Sequence, residues 1–199
     1  MSRRHAAALL VVAATAVAGC GSSSGSGPGN SSAAAANPNA PESSPAGDIP
    51  DNQAYVPYRL ASGHFSVKVP EGWAQAKQAG AVTFTDKLNS VRMESAAASG
   101  PLTVTTAQST EIPKLKRATP GFSGAKVSAV KRPAGTAIRI SYLASSKPDP
   151  VTGKVTTDAV ERYVFFNKGR QAILTLTGAK TADNVDPWRI VSSSLRWTA

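Results

Sequence analysis

A single cysteine, Cys20, ends a short apolar run in a chain of 199 residues, and its position limits what the chain can fold into more than any other feature. Everything downstream must hold together by core packing, with no disulfide to help. The run itself, residues 6–17 behind Arg3 and Arg4, is 12 residues long. A helix needs about 20 residues to cross roughly 30 Å of hydrocarbon. Residues 1–20 are therefore predicted to be a secretory signal and not a permanent membrane span.

Val17-Ala18-Gly19-Cys20 resembles the lipobox of bacterial lipoproteins. The resemblance implies a diacylglyceryl group on the Cys20 sulfur, with fatty chains of the palmitate type, and cleavage that makes Cys20 the new N-terminus. One buried chain anchors only reversibly, at about 0.8 kcal/mol per CH₂, whereas two anchor firmly. The expected location is the extracytoplasmic face of the cell membrane, with the lipid on Cys20 as the membrane contact.

Residues 21–54 hold 25 Gly, Ser, Pro or Ala among 34, and Ile49 is the only large aliphatic. Such a segment buries too little apolar surface to offset ordering entropy and is predicted to be a disordered linker. As a flexible coil it would span roughly 30–35 Å. Residues 55–199 remain, enough for one domain with a core of its own.

That domain alternates in the manner of strands over residues 64–69, 81–86, 91–97, 126–132, 137–144, 155–167 and 171–177, with a further edge strand near Tyr58. Tyr163-Val164-Phe165-Phe166 is apolar on both faces, as a strand covered on both sides requires. Helical spacing appears twice. Residues 106–118 place Ile112 and Leu115 inward and Lys114, Lys116 and Arg117 outward; residues 102–106 alone could also be a strand. The second helix begins at Asp186 as cap with Pro187 in first position, and aligns Trp188, Val191 and Leu195. The expected class is α+β, a central antiparallel sheet flanked by helices.

Phe65-Ser66-Val67-Lys68-Val69-Pro70-Glu71-Gly72-Trp73 resembles the opening of PsbP-like domains. A terminal helix after long antiparallel strands fits the same family, whose fold is shared with a Ran-binding nuclear import factor. Actinobacterial lipoproteins of the LpqN/LpqT type look similar. The resemblance, over residues 55–199, implies a sheet packed between helices and used for binding, with no shared catalytic apparatus. No residue matches a functional motif of the family, so none is carried over.

The residues themselves point the same way. After signal removal His64 is the only histidine and the domain has no cysteine; this excludes tetrahedral zinc of the usual kind and leaves no cofactor or metal site to expect. No serine lies in a Gly-x-Ser-x-Gly elbow, and the chain is read as no enzyme. Asp183 and Asp186 suit a helix start better than catalysis.

Setting aside Arg3 and Arg4 with the signal, and Glu42, Asp48 and Asp51 in the linker, residues 55–199 carry 20 basic and 9 acidic side chains, a net of +11. Such a charge attracts envelope anions: lipid headgroups, phosphate-bearing polymers or uronic acids. Nucleic acid is excluded as a partner, because export removes the domain from it and no aromatic-basic stacking motif appears. The densest basic cluster is Lys114, Lys116 and Arg117, with Lys126, Lys131 and Arg132 close in sequence. It is the candidate anion-binding surface. The reading is thus a lipid-anchored envelope protein with a non-catalytic binding or interaction domain, whose expected partner is an anionic envelope polymer, a lipid headgroup or an envelope protein. Two alternatives stay open: an envelope hydrolase using a carboxylate pair near Asp183 or Glu161, and a carrier of a small apolar molecule.

Overall fold

Ten strands, a single 3-10 turn (Ala61–Gly63) and two longer helical regions make up residues 45–198, the part of the chain that the computed structural model describes. Cys20, the signal and the linker up to residue 44 lie outside the described residues. In order the elements are β1 (Tyr55–Leu60), β2 (Phe65–Pro70), β3 (Ala74–Gln78), β4 (Ala81–Asp86), β5 (Asn89–Ala97), α1 (Val104–Thr106), α2 (Ile112–Ala118), β6 (Ser123–Arg132), β7 (Gly135–Ser145), β8 (Thr157–Asn167), β9 (Arg170–Ala179), α3 (Val185–Ser193) and β10 (Arg196–Trp197). A seven-stranded antiparallel sheet has the order β3-β4-β5-β9-β8-β7-β6, and a second sheet has the order β1-β2-β10.

The alternation of each strand decides where it packs. Phe65, Val67 and Val69 of β2 are at most 2% exposed and meet Val91 and Met93 of β5, Leu174 and Leu176 of β9, and Trp188, Val191 and Leu195. This is the main core, between one face of the large sheet, the small sheet and α3. The opposite face is covered over β6, β7 and β8, where Ile138, Ile140, Tyr142 and Val160 pack against Ile112, Leu115 and Phe122. β8 thus has apolar cover on both sides, with Val164 and Phe165 both buried.

Several boundaries differ from the sequence reading for identifiable reasons. β3 is an unforeseen strand: all five of its residues are exposed, so it has no alternation to detect, and it exists through its pairing with β4. Residues 104–118 are helical throughout, settling the ambiguity at 102–106: the Thr103 hydroxyl accepts the Thr106 N–H as an N-cap. Between α1 and α2 lies a π-helical stretch, Ala107–Glu111. Pro113 has no N–H to give to residue 109 and its ring crowds that carbonyl, so the ladder widens by one residue just before it. Asn184, not Asp186, is the N-cap of α3, and Pro187 is third in the helix, still among the positions whose N–H has no intrahelical partner.

The predicted linker ends earlier than residue 54. Residues 45–54 lie on the domain, with Ile49 only 6% exposed in the main core. The Ile49 N–H donates to Asn184 Oδ1 (2.9 Å). Asn184 Nδ2 donates to the Gly47 carbonyl (3.1 Å) and to Asn89 Oδ1 (3.0 Å), and Asn89 Nδ2 donates to the same carbonyl (2.8 Å). Asp48 accepts the Asp183 N–H (2.9 Å). One isoleucine and a few hydrogen bonds thus fasten a strap whose composition reads as a tether.

Candidate ligand groove

The helices α1 and α2 cover only the β6–β8 half of their sheet face, and the other half is polar. On it Thr83, Thr85, Ser90, Thr175 and Thr177 align across β4, β5 and β9, as the registers Thr83↔Arg92, Thr85↔Ser90, Ser90↔Thr177 and Arg92↔Thr175 require. β-branched threonines suit a strand, and their hydroxyls leave the surface wet.

Where this polar half meets the helix-covered half there is a groove of about 590 Å³. Its floor is Thr83, Thr85, Ser90 and Thr177, and one wall is Tyr142, Ala144 and Val160. The β4–β5 turn supplies Lys87 and Leu88 to the rim, and the loop between β7 and β8 supplies Lys147, Pro148 and Lys154. That loop is internally tied. Asp149 Oδ1 accepts the Val151 N–H (3.0 Å), the Thr152 N–H (2.7 Å) and the Thr152 hydroxyl (2.8 Å). Those bonds, the Thr152 N–H foremost, hold the Asp149 carboxyl below its ordinary range, so its charge serves the loop.

Two titratable groups of the groove are perturbed upward. Desolvation by burial raises Asp158, whose carboxylate has no hydrogen-bond or ion-pair partner among the described residues. Desolvation likewise raises Tyr142, which is 7% exposed and packs against Phe122 with the rings tilted and their centres 4.8 Å apart. One row further along the sheet, Glu94 lies between two arginines. Arg92 Nη2 reaches it at 3.1 Å and Arg162 Nη1 at 3.2 Å. Burial alone would raise Glu94, but the hydrogen bond from Arg92 and the charge of Arg162 outweigh it, and its pKa is lowered. Arg162 Nη1 also donates to Thr175 Oγ1 (2.9 Å).

The residues singled out from sequence are placed elsewhere. Lys114, Lys116 and Arg117 are exposed on α2, Lys114 paired with Glu111 at 3.0 Å. Lys126 is exposed on β6, and Arg132 turns to the main-core side, its guanidinium 5.5 Å over the Tyr163 ring. Glu161 is held by Arg139 (3.3 Å) and the Tyr163 hydroxyl. Asp183 precedes α3, and Asp186 pairs with Arg189 at 2.9 Å; neither Glu161 nor Asp183 lines the groove. Among the described residues no three His, Cys, Asp or Glu side chains form a metal-binding group, and no helix is long and apolar enough to cross a membrane. The groove residues come from five strands, two loops and the end of α2, and the three lysines, spaced across 68 positions, left no cluster to read.

The sequence matches no protein-family model and no curated protein. Solved structures do match. CyanoP, the cyanobacterial PsbP of Synechocystis sp. PCC 6803, superposes with a TM-score of 0.54 at 16% identity over 76% of this chain and 98% of that one. The fold is PsbP-like. The Ran-binding protein Mog1p of Saccharomyces cerevisiae follows with a TM-score of 0.51 at 8% identity, covering 73% of this chain and 96% of its own. LpqN of Mycobacterium tuberculosis, described as involved in cell envelope biogenesis, has a TM-score of 0.42 at 15% identity over 75% and 93%. At these identities the PsbP-like likeness is one of architecture, and the groove has to be argued from its own side chains.

Proposed function

We propose that this protein is held at the extracytoplasmic face of the cell membrane by lipid on Cys20, and that its PsbP-like domain is a non-catalytic binding module for an anionic envelope component. The observation that carries the reading is the groove. Lys87, Lys147 and Lys154 surround a floor of hydroxyls, a lining that offers charge to a ligand's anionic groups and hydrogen bonds to its hydroxyls. Asp158, partnerless at one end, can accept from a ligand donor. The net charge of +11 over residues 55–199 draws anions from solution before any contact is made. A ligand with both anionic and hydroxyl groups, such as a phosphorylated or uronic-acid polymer, fits this lining.

Retention of the lipid-free mature chain (Cys20→Ser) on an immobilised anionic polysaccharide, eluted by salt, tests the reading. Reversing Lys87, Lys147 and Lys154 to Glu should move elution to clearly lower salt. Reversing Lys114, Lys116 and Arg117 changes net charge equally and separates the groove from the α2 surface. Equal shifts from both triples would reduce the interaction to bulk charge, and a larger shift from the second would move the site to α2. Mass spectrometry of the membrane fraction should find Cys20 N-terminal and acylated.

A further inference from the structure

The far end of β8 and β9 has its own cleft, about 560 Å³, lined by His64, Asn167, Lys168, Arg170, Trp197 and Thr198. It is remote from the groove: Asp158 and Asn167 are nine residues apart on β8, roughly 30 Å at about 3.3 Å per residue. Three parts of the chain converge there, the start of β2, the β8–β9 turn and the C-terminal segment. The Thr198 N–H donates to the His64 carbonyl (2.8 Å) and fixes that segment across the opening of β2. Trp197 is held by its indole N–H on the Ala134 carbonyl (3.3 Å) and by an edge contact with Phe65 at 6.1 Å.

Among the described residues the lining has two cations, an imidazole and a carboxamide, and no carboxylate. Arg170 uses one N–H, to the Ser62 carbonyl at 3.4 Å, and keeps the rest of its fork for a ligand. The Thr198 hydroxyl is buried with no partner among the described residues, a donor that a bound group would satisfy. The backbone adds an independent sign. Among the described residues three non-glycine residues have left-handed φ, His64 (53°), Lys87 (48°) and Lys168 (44°), and each of these lines this cleft or the groove. Lys168 stands in a two-residue hairpin turn where Gly or Asn would be unstrained, and strain of this kind gathers at functional sites.

We propose that this cleft binds a phosphate group. A tetrahedral oxyanion can take donors from several directions at once, and the ammonium, guanidinium, imidazole, carboxamide and hydroxyl here come from three separate segments. The site is independent of the groove and of what the groove takes.

Two sources of the group, free phosphate and a phospholipid headgroup, are separated by running both probes on the mature chain carrying Cys20→Ser. Inorganic phosphate is titrated against chloride of equal ionic strength while backbone amide resonances are followed. In parallel, vesicles of phosphatidylglycerol are compared with phosphatidylcholine. Saturable shifts at His64, residues 167–170 and Thr198, with Thr85, Ser90 and Thr177 unmoved, are expected from phosphate if the group is taken free. If it is taken as a headgroup, binding to phosphatidylglycerol alone is expected. Lys168→Gly removes the ammonium and relieves the left-handed backbone, so the fold is kept. It and Arg170→Gln should each weaken the responding arm by about tenfold, the scale of one charge-assisted contact. Identical shifts from chloride, no response in either arm, or unchanged binding by both variants would overturn the proposal.

Discussion

Asn184, 4% exposed, uses its whole amide: it accepts from Ile49 N–H and donates to the Gly47 carbonyl and to Asn89 Oδ1. Asn184→Ala strands these partners inside the protein and should cost about 2–4 kcal/mol, read as a lower denaturant midpoint. Gly178 explains why the pair fits. A Cβ there would lie 2.6 Å from Asn89 Oδ1 and 2.7 Å from Asn184 Nδ2, so Gly178→Ala should destabilise by about 1–3 kcal/mol through the same network. Two carboxyls give opposite pH signatures. Glu94 is lowered, so its contribution is present above its ordinary value of 4.5 and is lost as pH falls through its folded pKa. Glu94→Gln should flatten that acid limb in a pH series of unfolding midpoints. Asp158 is raised, so its charge costs stability at neutral pH. Asp158→Asn should stabilise at pH 7, and the gain should vanish below the ordinary value of 3.8, where the carboxyl is protonated in both states.

At the scale of elements, the strap of residues 45–54 carries the clearest test. Ile49→Ala should cost about 2–4 kcal/mol, the range of a large-to-small change in a packed core, and a chain begun at Tyr55 should unfold earlier than one begun upstream of Pro45. Both follow from a segment whose sequence says tether. Residues 64–69 and 171–177 were legible because a half-buried strand leaves period-two alternation, and Tyr163-Val164-Phe165 because a strand covered on both sides leaves none. β3 was not, since five exposed residues in Ala74–Gln78 carry no burial signal. Nor was the strap, because its one apolar contact is a single isoleucine and its polar contacts lie 42, 135 and 137 residues away. The α2 lysines were legible as a charged face, but the groove lysines were not, since sheet register brings them together from separate turns.

Across the whole molecule the two cores share β8: Tyr163 and Phe165 belong to the main one and Val160 to the other. They should therefore unfold together. Ile140→Ala, on the helix-covered face, should lower the midpoint seen by tryptophan fluorescence by as much as that seen by circular dichroism, although Trp73, Trp188 and Trp197 all pack on the main core. Separate transitions would show that α1 and α2 detach alone. The site is less legible at this scale than the fold, since positive charge appears in the composition but its division between two ends of β8 appears only once the strands are paired. The strap has a mechanical consequence as well. Tension arriving from upstream of Pro45 meets the knot at Asn89 and Asn184 first, so β1 is spared from unzipping off β2. A pulling experiment begun at the N-terminus should register one high rupture force in the parent chain, falling sharply once Asn184→Ala has undone that knot.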